Sequence, residues 1–206
     1  MRTKHHIKPN EVEEGSKAFR SHEKRDAMYK VATFLVDHFW GKPQEMADAL
    51  GVLLLTWNNA LYRYGMFDFA KLEQTLARRM SKLQAFRKRD ILSFSNADVK
   101  TVKILFNEFL NALKIAEGKS KGTRSPVAVA KALHLLAPAF FPLWDDKIAK
   151  GYDCYYLTDP SGMYLVFLRI SKNLAEQLKG KIQTGGTTLL KMIDEYNYAK
   201  FTKKWI

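Results

Sequence analysis

The sequence predicts an all-α fold, a compact bundle of about eight helices in two closely packed lobes. Three observations point there. Apolar residues recur at three- and four-residue steps through most of the chain, Pro and Ser/Thr/Asp residues stand where helices should begin, and no stretch alternates with a period of two. The 206 residues form one domain in this reading, with lobes over roughly 1–117 and 125–206 joined by a basic connector, 118–124.

Residues 11–40 carry Ala27, Met28, Val31, Ala32, Phe34, Leu35, Val36 and Phe39 at helical spacing, an amphipathic helix ended by Gly41-Lys42-Pro43. Pro43 suits the first turn of a second helix, 43–64, closed by Gly65. Over 67–94, Phe69, Leu72, Leu76, Met80, Leu83 and Phe86 share one face, while Arg78, Arg79, Lys82, Arg87, Lys88 and Arg89 make the remainder basic. Ser95-Asn96-Ala97-Asp98 reads as a capping box opening a helix to about residue 117. Ser125-Pro126 gives an N-cap and a first-turn proline to a short apolar helix, 127–137, which Pro138 stops. The turn Phe140-Phe141-Pro142-Leu143-Trp144 then leads to Asp145-Asp146 at the start of another helix, and helices over 163–178 and 188–201 complete the chain.

Composition narrows the function. There are 34 Lys and Arg against 21 Asp and Glu, a net charge of +13, which points to a polyanionic partner. With 47% hydrophobic and 13% aromatic residues the chain can bury a sizeable core, which excludes disordered and collagen-like classes. Cys154 is the single cysteine, so an intramolecular disulfide and a Cys-based zinc site are excluded and a reducing, cytoplasmic setting is expected. No apolar run reaches the length of a membrane span, and Met1-Arg2-Thr3-Lys4-His5-His6, a terminus expected to fray, has no apolar run after its charges. Neither a membrane partner nor a secretion signal is expected, and the state expected is a monomer.

Familiar cofactor motifs are missing. Gly118-Lys119-Ser120 lacks the leading strand and glycines of a phosphate loop, no histidine pair has zinc-like spacing, and no Gly-x-Ser-x-Gly elbow occurs. No metal and no organic cofactor is expected. The informative stretch is 125–152, where a helix bearing Lys131 and His134 runs into the aromatic turn and delivers Asp145 and Asp146 to a helix start. An aspartate there caps the helix or, at the mouth of a cleft, stabilises a cationic sugar transition state.

This order of elements resembles the helix-hairpin-helix DNA glycosylase superfamily. In that family a hairpin and a lysine-bearing helix precede a proline turn and a Val-Asp-x-x-Val motif with an essential aspartate. Here Lys131 is followed by Pro142-Leu143-Trp144-Asp145-Asp146-Lys147-Ile148. The resemblance implies Asp145 as the catalytic carboxylate, Asp146 and Trp144 as its neighbours, and Lys131, 14 residues before it (145 − 131), as the amine of a lyase step. The segment Thr56-Trp57-Asn58-Asn59-Ala60 resembles the helix of the 8-oxoguanine branch whose asparagines fill the gap left by a flipped base. Asn58 and Asn59 match those positions, and Trp57 offers a stacking surface or core packing. In place of the family's Leu-Pro-Gly-Val-Gly-x-Lys hairpin stands Gly122-Thr123-Arg124-Ser125-Pro126.

The implied activity is excision of a damaged or modified base from DNA, in repair or in defence against phage. If Lys131 faces the cleft, its apolar surroundings depress its pKa and make it a nucleophile at C1′; if it faces solvent, water attacks instead. His134 contacts substrate or is a satisfied core residue. Lys119, Lys121, Arg124 and Ser125 around the connector, with the arginines near residues 78–89, are candidate phosphate contacts. Two other classes stay open: a non-catalytic DNA- or RNA-binding protein in which Asp145 only caps, and an interaction module for an acidic protein partner.

Overall fold

A computed structural model of the chain describes residues 5–24 and 26–206. Residues 1–4, four of the six residues of the terminus in which no secretion signal was expected, lie outside them. The described residues are all-helical, with ten α-helices and no strand, only an isolated antiparallel bridge between Phe67 and Ile115. None of these helices is long and apolar enough to cross a membrane.

The helix count exceeds expectation because two long amphipathic stretches are broken. Residues 11–40 form α1 (Pro9–His22) and α2 (Ala27–His38). The break needs neither Gly nor Pro. Asp26 takes a left-handed conformation (φ 41°), which aspartate tolerates better than most side chains, and lets α2 leave α1 in a new direction. Then α1 packs along the C-terminal helix α10 (Leu189–Asn197), while α2 packs on α3 (Pro43–Trp57) and α7 (Pro126–Leu136). Gly15 permits the first contact, because a Cβ there would stand 2.8 Å from the Tyr196 Cα. The second expected helix stops at Asn58, which separates α3 from the single turn α4 (Asn59–Tyr62).

The start signals at Pro43, Ser95–Asp98, Ser125-Pro126 and Asp145 act as read, whereas Asp68, Asp159 and Thr188 are caps the sequence reading did not single out, and the helix expected from 163 begins three residues earlier, at Pro160. Pro43 opens α3, and Asp68 caps α5 (Phe69–Arg87). Ser95 and Asp98 form the capping box ahead of α6 (Val99–Ala112), and Ser125 caps α7 through Ala128 N–H. Asp145 caps α8 (Asp146–Gly151), Asp159 caps α9 (Pro160–Leu178), and Thr188 caps α10, which runs into a π-helical turn, Tyr198–Lys203. Two ends differ from expectation: the helix expected over 67–94 stops at Arg87, where Asp90 caps a separate 3-10 turn, Ile91–Ser93, through Ser93 N–H, and the helix expected to about 117 is also shorter. Helix α6 stops at Ala112 rather than near 117, because the chain there pairs with the loop after α4: Ala116 N–H donates to Met66 O, and Gly118 crosses Tyr64 so closely that a Cβ would lie 2.0 Å from its carbonyl oxygen.

The core is continuous through the fold. Phe106, Phe109, Phe140, Phe141, Trp144, Tyr164 and Phe167 are fully buried in it, and the ring of Trp144 packs on Tyr156, Tyr164 and Phe167.

Candidate functional site

Helices α1, α2, α3, α7, α8 and α10 converge on a pocket of about 410 Å³. Glu23, Asp26, Lys131, Asp145, Lys191 and Asp194 bring charge to it, and Phe19, Trp57, Trp144 and Tyr198 bring rings. Lys131 on α7 and Asp145 at the start of α8, 14 residues apart in the chain (145 − 131), are connected by the turn between those helices and both line this pocket.

Lys131 reaches the C-terminal end of α3. Its Nζ donates to Trp57 O at 3.1 Å and to Asn58 Oδ1 at 2.5 Å, and stands 5.4 Å from the centre of the Trp57 ring. Its partners are neutral dipoles rather than carboxylates, and no ion pair joins it to Asp145. Burial therefore dominates and lowers its pKa to about 8, against the pull of the Asp145 and Asp194 charges. An ammonium with two bonds keeps one proton free.

Both oxygens of Asp145 are engaged. Oδ1 accepts from Ile148 N–H at 2.7 Å as the cap of α8, and Oδ2 accepts from the Thr202 hydroxyl at 2.6 Å. Two donors fix the orientation of the carboxyl, and each oxygen keeps an unused lone pair. Thr202 lies in the π-helical turn, which is tied to α8 again by Lys147 Nζ donating to Thr202 O and by Gly151, whose missing Cβ makes room for the Phe201 ring.

Helix α10 contributes charges that the sequence reading passed over. Lys191 Nζ lies 3.1 Å from Asp26 Oδ2 and 3.7 Å from Asp194 Oδ2, between the rings of Tyr29 and Phe19 at 4.2 and 4.7 Å. Asp194 is 9% exposed and its carboxyl accepts no hydrogen bond among the described residues. Burial raises its pKa to about 7; Lys191 opposes the shift, and the charges of Glu195, Asp145 and Asp26 add to it. The neighbouring Glu195 turns to α1, where it accepts from the Ser16 hydroxyl and faces Arg20 at 3.5 Å. A glycine in the middle of α1 is the one sequence signal for this arrangement, since Gly15 lets α10 approach closely enough to bury Asp194.

The other singled-out residues divide. Trp57 is half-buried, stacks on Tyr29 and lines the pocket; Asn58 is spent on Lys131, and Asn59 is exposed on α4. Trp144 touches the pocket from the core, and Asp146 faces Lys150 at 3.8 Å in the first turn of α8. His134 is fully buried behind Tyr29. Its Nδ1–H donates to Phe141 O at 2.7 Å, so Nε2 accepts the Tyr29 hydroxyl at 3.0 Å, and burial drops the ring's pKa to about 3. Ser125 uses its hydroxyl oxygen as a cap, with Ala128 N–H at 3.1 Å.

The two expected basic surfaces differ in character. Lys119, Lys121 and Arg124 are exposed in a backbone-bonded loop, Gly122 N–H to Ile115 O and Ile115 N–H to Thr123 O, and none forms an ion pair among the described residues. On α5 and just beyond it, three arginines are instead spent inside the protein. Arg79 pairs with Glu108, Arg87 with Asp37 and Leu136 O, and Arg89 with Asp98 in two bonds of 2.7 and 2.8 Å. His5, expected to fray, packs edge-on against Tyr152. Among the described residues no cluster of His, Cys, Asp or Glu could hold a metal, and Cys154 is buried with its thiol pKa pushed up to about 12. No protein-family model, curated protein or solved structure matches the chain.

Proposed function

We propose that the chain is a DNA glycosylase, which draws a damaged or modified base out of DNA into this pocket and cuts its bond to deoxyribose. One observation carries the reading: the Lys131 amine and the Asp145 carboxylate open into the same pocket beside the Trp57 ring. A volume of about 410 Å³ falls within the usual range for small-ligand sites, and a ring wall suits a planar base. The exposed cations of the loop between α6 and α7 flank the pocket-bearing helix α7, in keeping with a helix-hairpin-helix grip on the phosphate backbone.

The chemistry follows from the two groups. As the glycosidic bond stretches, the sugar gains positive charge, and a carboxylate held by Ile148 N–H and Thr202 stabilises that charge without moving a proton. An amine of pKa about 8 is partly unprotonated near neutral pH, so Lys131 can add to C1′ once the third proton and the Asn58 contact are released. Water adding there would leave an abasic site instead.

The test is release of bases from a panel of duplexes carrying oxidised, alkylated, deaminated and phage-type modified bases, with borohydride trapping in parallel. Asn is as good an N-cap as Asp, so Asp145→Asn should keep the fold and DNA binding while base release falls by at least about 100-fold. Lys131→Gln should lose the trapped adduct. A protein that binds DNA but frees no base from any duplex, before or after Asp145→Asn, is a binding protein in which Asp145 is only the cap of α8.

A further inference from the structure

Resting on the glycosylase reading, we propose that Asp194 is a second catalytic residue of the pocket: it carries the proton that the departing base takes up, while Asp145 stays a carboxylate for the sugar.

The two carboxyls share a cavity but not an environment. Asp145 accepts two hydrogen bonds, from Ile148 N–H at 2.7 Å and from the Thr202 hydroxyl at 2.6 Å, which hold its carboxyl in one orientation. Asp194 is nearly buried, accepts no hydrogen bond among the described residues and still lines the pocket, so its free acceptor and donor capacity is turned to whatever enters. The groups that face it from each packed element are Lys191 and Glu195 on α10, Asp26 before α2 and Tyr29 on α2, Asp145 at α8 and Lys131 on α7. Three of these six are other carboxylates, and Lys191 is shared with Asp26 at the shorter distance. The outcome is a carboxyl that exchanges its proton at about pH 7, beside one held as an acceptor. Paired acids with separated tendencies are how one pocket supplies both an acid and an anion.

The step balances. The C1′–N bond breaks and its electron pair goes to the base; a ring nitrogen of the base takes the Asp194 proton, leaving Asp194 a carboxylate and the sugar an oxocarbenium ion against Asp145. When the neutral Lys131 amine adds to C1′, the new C–N bond leaves a secondary ammonium, and Asp194 takes back the proton it loses. No other reactant is required.

The chemistry gives a leaving-group test. A neutral oxidised purine needs a proton to depart, whereas an N7-alkylated purine is already cationic and leaves without one. Single-turnover release of each base should be measured with the wild type, Asp194→Asn and Asp145→Asn. Asp194→Asn should slow the neutral base about 100-fold and the cationic base less than about threefold, whereas Asp145→Asn should slow both. For the wild type on a neutral base, the rate should fall as pH rises through about 7. Asp194→Asn should remove that limb, and if this variant does not fold, the wild-type limb alone carries the test. Equal slowing of both bases by Asp194→Asn, a flat wild-type profile, or release confined to cationic bases would overturn the proposal alone. No release of any base by the wild type would remove the glycosylase reading with it.

Discussion

Lys131 and Lys191 are two lysines on the wall of one pocket, each taken out of water by a different device. On the α10 side Lys191 stands between Asp26 and Asp194 and between two aromatic faces, so its charge is met by opposite charge. On the α7 side Lys131 meets a backbone carbonyl, an amide oxygen and the Trp57 ring but no paired carboxylate, and burial lowers its pKa to about 8. The same contrast divides the carboxyls in reverse: Asp145 on the α8 side has fixed donors, and Asp194 on the α10 side has none. Each side of the pocket thus holds one group engaged by strong partners and one, Lys131 or Asp194, whose pKa burial moves toward neutrality. A charged group with strong partners is held in one place, as Asp145 is, and a buried titratable group without one is free to exchange a proton.

The largest break in this comparison is the same substitution made on both sides. Lys191→Met leaves Asp26 and Asp194 close together with their shared cation gone, and should cost about 3 kcal/mol in urea unfolding at pH 7. Lys131→Met removes a charge whose desolvation is met only by neutral acceptors, and should change stability by less than about 1 kcal/mol. Equal losses would show that the two lysines are held alike.

A smaller effect sharpens the contrast through pH. The folded pKa of Asp194 is raised, so the folded state binds its proton more readily than the unfolded chain does, and the stability this contributes is lost as pH rises through about 7. Lys131 is depressed, so its contribution is present above the ordinary lysine range and is lost as pH falls through about 8. The two groups therefore weaken the fold together between about pH 7 and 8. His134, whose pKa is depressed to about 3, works against Asp194 below the ordinary histidine range, so the effect must be read as a difference between proteins. Between pH 5 and pH 8 the stability of the wild type should fall relative to Asp194→Asn by about 2 kcal/mol, measured by unfolding at each pH. A constant difference would mean that Asp194 titrates as an ordinary carboxylate.

How much of this was legible in the sequence follows the same division. Signals that act within a turn were readable: Pro43 starts its helix by its fixed φ, and the Ser95–Asp98 box, Ser125 and Asp145 start theirs by bonds to residues three positions away. The α7–α8 side of the pocket is built from such signals in one continuous segment, so Lys131 and Asp145 could be placed on neighbouring helices before their meeting in one pocket was known. The α10 side depends on contacts across the whole chain. Lys191, Asp194 and Glu195 look like a solvated helix face until α1 covers them, and that covering rests on a turn at Asp26 with neither Gly nor Pro to mark it, and on Gly15 against Tyr196. The pairing of Arg79 and Arg89 was hidden for a related reason: charge is visible in a sequence, but the carboxylates they meet, Glu108 and Asp98, lie on other elements.

The smallest expected effect concerns the link between the two sides. Thr202 follows α10 directly in the π-helical turn, and its hydroxyl is one of the two donors that hold Asp145. Thr202→Val keeps the branched shape and removes the donor, so the loss should be about 1 kcal/mol in stability, since Ile148 N–H still holds Oδ1 and α8 keeps its cap. If the hydroxyl also sets the angle at which Asp145 faces the sugar, base release should slow by about tenfold with unchanged DNA affinity, and Thr202→Ser should restore it. A rate unchanged in Thr202→Val would mean that the cap bond alone aims the carboxylate, and that the α10 side meets Asp145 only through the charge of Asp194.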